Sequence, residues 1–102
     1  MRRVLPALAV LCSGEGTNLQ AILEAIRAGR LRARVAIVIS DRQGAGALKR
    51  ARRAGIPASC VDPRRSSTRA AFERRLITLC ETHRVRLVCL AGFMRIDRKS
   101  VV

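Results

Sequence analysis

Four short apolar runs, at residues 7–12, 35–39, 56–61 and 85–90, alternate with segments whose apolar residues recur every three to four positions. This alternation constrains the fold more than any other feature. The first run, Ala-Leu-Ala-Val-Leu-Cys, is apolar at every position, as in a strand covered on both faces rather than one. Pro6 is tolerable because it stands at the start of that strand. Leu19, Ile22, Leu23 and Ile26 then fall at i, i+3, i+4 and i+7, one face of a helix. Thr17 and Gln20 have the spacing of a capping box at its start, and Gly29 is a suitable stop. A second helix is expected over 45–54, burying Leu48 and Ala51 while Lys49, Arg50, Arg52 and Arg53 face water or skirt its edges; Gly55 ends it. A third helix is expected up to Thr82, capped by Ser66, Ser67 or Thr68, with Phe72, Leu76, Leu79 and Cys80 inward. Strands alternating with helices in this way predict an α/β fold, with an open, mostly parallel, doubly wound Rossmann-like sheet and right-handed crossovers.

The 102 residues suffice for one small domain or half of a larger one. With two Phe and neither Trp nor Tyr, the core must be built from Leu, Val, Ile and Ala. A formal net charge of +14 suggests nucleic acid at first sight. All the basic residues but Lys49 and Lys99 are Arg, however, and they are scattered through Ala-rich segments instead of forming a tract. Non-specific sticking to nucleic acid at low salt is expected, and no specific nucleic-acid partner. Cys12, Cys60, Cys80 and Cys89 include no CxxC pair, and three of them lie in apolar runs. They read as buried, reduced thiols of a cytoplasmic protein, with no disulfide and no metal. Met1-Arg2-Arg3 and the apolar run behind them have the outline of a signal peptide. The run lacks a small-x-small cleavage site and is too short to span a bilayer, so it reads as a first strand, with no membrane role.

The turn between the first strand and the first helix is Ser13-Gly14-Glu15-Gly16-Thr17-Asn18. Backbone N–H groups at a helix N-terminus bind phosphate without a cationic side chain; Gly14 and Gly16 allow a tight path, and Thr17 and Asn18 add side-chain donors. Leu19 stands where a dinucleotide fingerprint has its third glycine, and no Gly-Lys-Ser/Thr ending follows, so NAD and nucleoside-triphosphate loops are both excluded. A phosphate monoester suits what remains. A second cluster, Ala91-Gly92-Phe93-Met94-Arg95-Ile96, follows the fourth strand and shares the same sheet edge. Phe93 and Met94 could line an apolar slot and Arg95 could meet an anion; Phe93 is equally suited to the core. Asp41 and Asp62 end strands and read as turn formers. His83, the single histidine, falls at the end of the third helix, where no catalytic role is expected. No nucleophile–histidine pair, carboxylate pair or metal cluster is recognisable, so the residues point to an anion site without chemistry. On residues alone, a non-catalytic phosphate-binding or regulatory domain remains open.

The stretch Leu11-Cys12-Ser13-Gly14-Glu15-Gly16-Thr17-Asn18-Leu19-Gln20-Ala21-Ile22 closely resembles the opening of the phosphoribosylglycinamide formyltransferases. Val38-Ile39-Ser40-Asp41-Arg42, Ala51-Arg52-Arg53-Ala54-Gly55-Ile56-Pro57 and Val88-Cys89-Leu90-Ala91-Gly92-Phe93-Met94-Arg95-Ile96 continue the likeness in the same order. The resemblance implies a formyltransferase-type sheet, truncated after the fourth strand. It implies transfer of a formyl group from 10-formyltetrahydrofolate, as co-substrate, to the amine of glycinamide ribonucleotide. Gly16, Thr17 and Asn18 match the part that holds the substrate phosphate, and Phe93, Met94, Arg95 and Ile96 the part that helps form the folate pocket. The catalytic Asn-x-His pair and a later Asp have no matching positions here. Related folate-dependent formyltransferases and hydrolases differ at the first turn. Residues 1–96 thus read as the N-terminal phosphate-binding part. Asp97-Arg98-Lys99-Ser100-Val101-Val102 departs from the pattern; GAT CGG AAG AGC, a common sequencing-adapter string, encodes its first four residues, so 97–102 read as a non-native tail. The fourth strand would then be an open edge, prone to aggregation.

Overall fold

Every residue of the first strand is buried, as its unbroken apolarity requires. The computed structural model describes residues 5–93. They form β1 (Ala7–Leu11), α1 (Thr17–Arg27), β2 (Arg34–Ser40), α2 (Gly46–Arg53), β3 (Ala58–Cys60), α3 (Arg69–Thr82) and β4 (Leu87–Leu90), with a single 3-10 turn at Pro63–Arg65 before α3. The strands make one sheet in the order β3-β2-β1-β4, and all its pairs are parallel. The expected mostly parallel α/β sheet is therefore the observed one. β1 lies inside the sheet, so neither face nor edge of it meets water. One irregularity interrupts its pairing with β2, where Leu8 faces Val35 and Ala9 faces Ile37, leaving Ala36 as an extra residue.

The side-chain alternation of the strands divides the core into two layers. Ala9 and Leu11 of β1 and Ile37 and Ile39 of β2 point to the face covered by α3, where they meet Val61, Phe72, Leu76 and Phe93. Val10, Cys12 and Val38 point the other way, toward Leu19 of α1 and Ala47, Leu48 and Ala51 of α2. Leu11, Ile37, Ile39 and Leu48 are at most 1% exposed, and each such side chain stabilises the fold by about 1.5–3 kcal/mol relative to exposure. With so few aromatic rings, the Ala side chains of α2 matter for distance rather than area: they let that helix lie close to the sheet. The outer edge is different. β4 is only half covered, with Leu87 59% and Leu90 38% exposed.

One local expectation needs correction. Thr17 does not cap α1. Gly16 is the N-cap, in the left-handed region at φ 86°, no side chain caps that end, and Gln20 bonds onward to Glu24 at 3.4 Å instead of back to Thr17. The reason is spatial: an ideal Cβ at Gly16 would lie 2.7 Å from Ala47 Cα, so only glycine permits this path. Among the three possible caps of α3, Thr68 is the one used, its Oγ1 accepting from Ala71 N–H at 3.0 Å. The 3-10 turn was not expected from periodicity, although Asp62-Pro63 is a suitable start for one, and Asp62 caps it by accepting from Arg64 N–H at 2.9 Å.

Candidate functional site

The order β3-β2-β1-β4 makes the chain wind outward from β1 through β2 and β3, then return to the other side of β1. At that reversal the segments after β1 and β4 leave adjacent strands at the same end of the sheet, the place where open α/β sheets bind ligands. A cleft of about 350 Å³ lies there. Its lining is the whole stretch from Ser13 to Asn18, together with Arg42 from beyond β2 and Ala91 and Gly92 from beyond β4. The Ser13–Asn18 turn therefore meets the first two residues of the second cluster, Ala91 and Gly92, at one cleft.

The turn is shaped by what precedes and what packs behind it. Cys12 N–H still donates to Ile39 O at 3.0 Å, so the chain stays on the sheet ladder until Ser13. Gln20 N–H donates to Gly16 O at 2.9 Å, the first rung of α1. The N–H groups of Thr17, Asn18 and Leu19 precede that rung and have no acceptor within the helix. The first turn of α1 holds no acidic residue, which leaves the positive end of the helix dipole uncompensated from within the helix; the carboxylate among the cleft-lining residues is that of Glu15, which is exposed. Behind the turn stands α2. Ala47 N–H donates to Gly14 O at 3.2 Å, and an ideal Cβ at Gly46 would come within 2.9 Å of Glu15 O. Gly46 and Ala47 thus serve the site by letting two backbones touch.

Arg42 is a site residue that sequence reasoning left in a turn. Its N–H donates to Ser40 Oγ at 3.2 Å and its carbonyl accepts from Ala45 N–H at 3.3 Å, which fixes its backbone while the side chain stays exposed at the cleft. The available signal was topological: loops that follow parallel strands leave the sheet at the same edge. Arg50 was also missed. Among Lys49, Arg50, Arg52 and Arg53 it alone is half-buried, and its Nε donates to Glu15 O at 2.8 Å.

At the other wall, Ala91 N–H donates to Leu11 O at 2.8 Å, and Gly92 turns through φ 82°. Phe93 is 3% exposed and stacks on Phe72, centroids 6.4 Å apart and planes 7° from parallel. Its ring belongs to the core on the α3 side, and it is not in the cleft lining. Met94, Arg95 and Ile96, named with it for the folate pocket, lie outside the described residues.

The remaining candidates stay apart from the cleft or act structurally. Asp62 pairs with Arg64 at 3.0 Å, and hydrogen bonds from Arg64 hold its carboxyl below the usual range. Asp41 is 4% exposed at the end of β2. Cys12 nearby has its thiol pushed up to about 11, first by burial and then by the charge of Asp41. His83 caps the C-terminus of α3, whose following strand begins at the opposite edge of the sheet, so topology carries it away from the cleft. Among the described residues, no group of His, Cys, Asp and Glu could hold a metal ion, and no helix is long and apolar enough to cross a membrane. What this arrangement can do chemically is hold and orient an anion.

A family model described as formyl transferase matches residues 7–102. Glycinamide ribonucleotide transformylase 1 from Symbiobacterium toebii is 51% identical, with a TM-score of 0.86 over 92% of this chain and 44% of that one. Phosphoribosylglycinamide formyltransferase of Escherichia coli is 39% identical over 89 residues, which are 87% of this chain and 42% of the relative. Trifunctional purine biosynthetic protein adenosine-3 of Gallus gallus is 39% identical over 89 residues, 87% of this chain but 9% of that protein. The chain therefore spans less than half the length of each, and its likeness is to the N-terminal region of phosphoribosylglycinamide formyltransferase.

Proposed function

Because the chain belongs to the formyl transferase family, we propose that it supplies the substrate-phosphate side of a cytoplasmic phosphoribosylglycinamide formyltransferase. The reaction moves a formyl group from 10-formyltetrahydrofolate to the amine of glycinamide ribonucleotide, as a step of purine synthesis. One observation carries this reading: the cleft at the reversal of the sheet is lined by the Ser13–Asn18 turn and flanked by Arg42. Gly16, Thr17 and Asn18 offer backbone and side-chain donors to the phosphate, and Arg42 supplies an opposite charge beside them. A phosphate monoester anchored at one end is held by charge-assisted hydrogen bonds, and its far end is confined to a small arc. That confinement is this chain's contribution to rate. The stretch from Phe93 through Met94 and Arg95 to Ile96 frames the folate side, with the Phe93 ring, stacked on Phe72, as its anchor in the core. 10-Formyltetrahydrofolate supplies the activated formyl group, and no metal enters the reading.

No Asn-x-His sequence occurs in the 102 residues. The acid–base work of the transfer therefore lacks its groups, and the chain by itself is expected to bind substrate without transferring formyl. Calorimetric titration with glycinamide ribonucleotide and with its dephosphorylated riboside tests the phosphate reading. Two or three charge-assisted bonds lost together should weaken binding at least about 100-fold. Equal affinity for both compounds would remove the turn from the site.

A further inference from the structure

The carbonyls of Gly14 and Glu15 are both taken from the same side. Ala47 N–H donates to Gly14 O at 3.2 Å, and Arg50 Nε donates to Glu15 O at 2.8 Å across 35 residues of sequence. No peptide bond here is cis, and in a trans peptide the N–H points opposite to the C=O. The N–H groups of Glu15 and Gly16 are therefore directed away from α2, and residues 14 to 16 line the cleft. Successive N–H groups presented in this way form an anion-binding concavity.

From this juxtaposition we infer that Arg50 is a positioning residue for the phosphate: it grips the Glu15–Gly16 peptide from behind, orients the turn and strengthens Gly16 N–H as a donor. The inference rests on the reading of the turn as a phosphate site. A cation bonded to a carbonyl polarises its peptide, and hydrogen bonds joined through one peptide reinforce each other. The guanidinium also places a permanent positive charge one peptide away from the anion. Screened by the water of an exposed cleft well beyond the effective dielectric of about 20 for close surface pairs, that attraction corresponds to roughly fivefold to tenfold in affinity. The neighbours Lys49, Arg52 and Arg53 are exposed, so the half-buried Arg50 is the member of this basic helix committed to the turn.

The test is titration of the full chain with inorganic phosphate, followed through backbone amide resonances, for the parent, R50K, R50Q and R50M. In the parent, phosphate should shift the amides of Gly16, Thr17 and Asn18. R50K keeps the charge and should bind within about twofold to threefold of the parent, whereas R50Q and R50M should bind roughly fivefold to tenfold more weakly. The Gly16 amide of R50Q and R50M should move upfield before any phosphate is added, because its peptide is no longer polarised. A purely structural clamp would lower thermal stability in all three variants without separating R50K from R50Q in affinity; that result overturns the inference and leaves the site intact. If the parent amides do not respond to phosphate, the turn is no phosphate site and the inference falls with it. Should R50M fail to fold, R50K against R50Q decides the matter.

Discussion

Gly16→Ala tests the contact between the turn and α2 on which the whole site depends. Two costs are expected. A left-handed residue with a Cβ costs about 1–2 kcal/mol, and Gly16 sits at φ 86°. Its new Cβ would also lie 2.7 Å from Ala47 Cα and 2.9 Å from Ala47 Cβ. These atoms belong to a helix backbone and its first side-chain atom, so no flexible tip can swing aside, and overpacking of this kind costs about 1–3 kcal/mol. The sum is about 2–5 kcal/mol, a fall of at least about 8 °C in Tm for a domain of this size. Two other glycines separate the terms. Gly55 has φ 73° and nothing within 4 Å of its would-be Cβ, so Gly55→Ala should show the backbone cost alone. Gly14 has open space and no left-handed φ, so Gly14→Ala should be neutral to slightly stabilising, by up to about 1 kcal/mol. Urea and thermal unfolding of the three variants at low micromolar concentration give the comparison. If Gly16→Ala melts within about 0.5 kcal/mol of Gly55→Ala, the turn and α2 do not pack as described.

Thr68→Ala should destabilise the chain by about 1 kcal/mol by removing the cap that accepts from Ala71 N–H at 3.0 Å. Thr17→Ala, at an end of α1 with no side-chain cap, should leave unfolding midpoints unchanged; equal losses in both would contradict the cap assignment. Alkaline pH should weaken the fold through Cys12, whose thiol rises from an ordinary value near 9.0 to about 11. Its stabilising contribution is complete below about pH 9 and is lost as pH climbs toward 11, because the unfolded chain ionises first. Cys12→Ala should flatten that limb of the stability–pH curve, and an unchanged slope would count against it. At the sheet edge, Leu87 and Leu90 are 59% and 38% exposed, and Leu87→Lys should reduce self-association in light scattering with little change in Tm; unaltered particle size would exonerate that edge.

Much of the architecture was legible because the strands advertise their own burial. A run such as Val-Ala-Ile-Val-Ile, followed by Ser40-Asp41, has few ways to fold other than as an interior strand ending at a loop. The turn between β1 and α1 was legible for a similar reason, since glycines directly after a first strand and before a helical repeat have a local meaning. The features that escaped are non-local. Gly16 displaces Thr17 as the cap of α1 because Ala47, some thirty residues later in sequence, occupies the space a Cβ would need. Nothing near Arg50 in sequence distinguishes it from Arg52 or Arg53; only the approach of α2 to the turn brings its Nε to Glu15 O. Arg42 enters the cleft through strand order, which periodicity does not encode. Phe93 was open between pocket and core on composition, and its stacking on Phe72 puts the ring in the core.

These non-local features share a physical logic. A phosphate cradle made of backbone, as proposed for this turn, must be rigid, because each N–H contributes only when it points at the anion without reorganisation. A loop on its own cannot be that rigid, since fixing each backbone residue costs about 1–2 kcal/mol of entropy. Here the loop is fixed from three sides. β1 holds its start through Cys12 and Ile39, α1 begins at its end with Gln20 on Gly16, and α2 takes its outward carbonyls through Ala47 and Arg50. Small residues are what allow the third contact: Gly16, Gly46 and Ala47 bring two backbones to a separation that any larger side chain would prevent. The opposite wall is tied to both layers: Ala91, which bonds to Leu11 O, packs on the α1–α2 layer, and Phe93, two residues on, is stacked on Phe72 of α3. The cleft thus rests on both core layers, the α1–α2 layer behind both walls and the α3 layer behind the segment after β4. Its geometry should accordingly track the integrity of both, even though neither Phe72 nor Leu48 is among its lining residues.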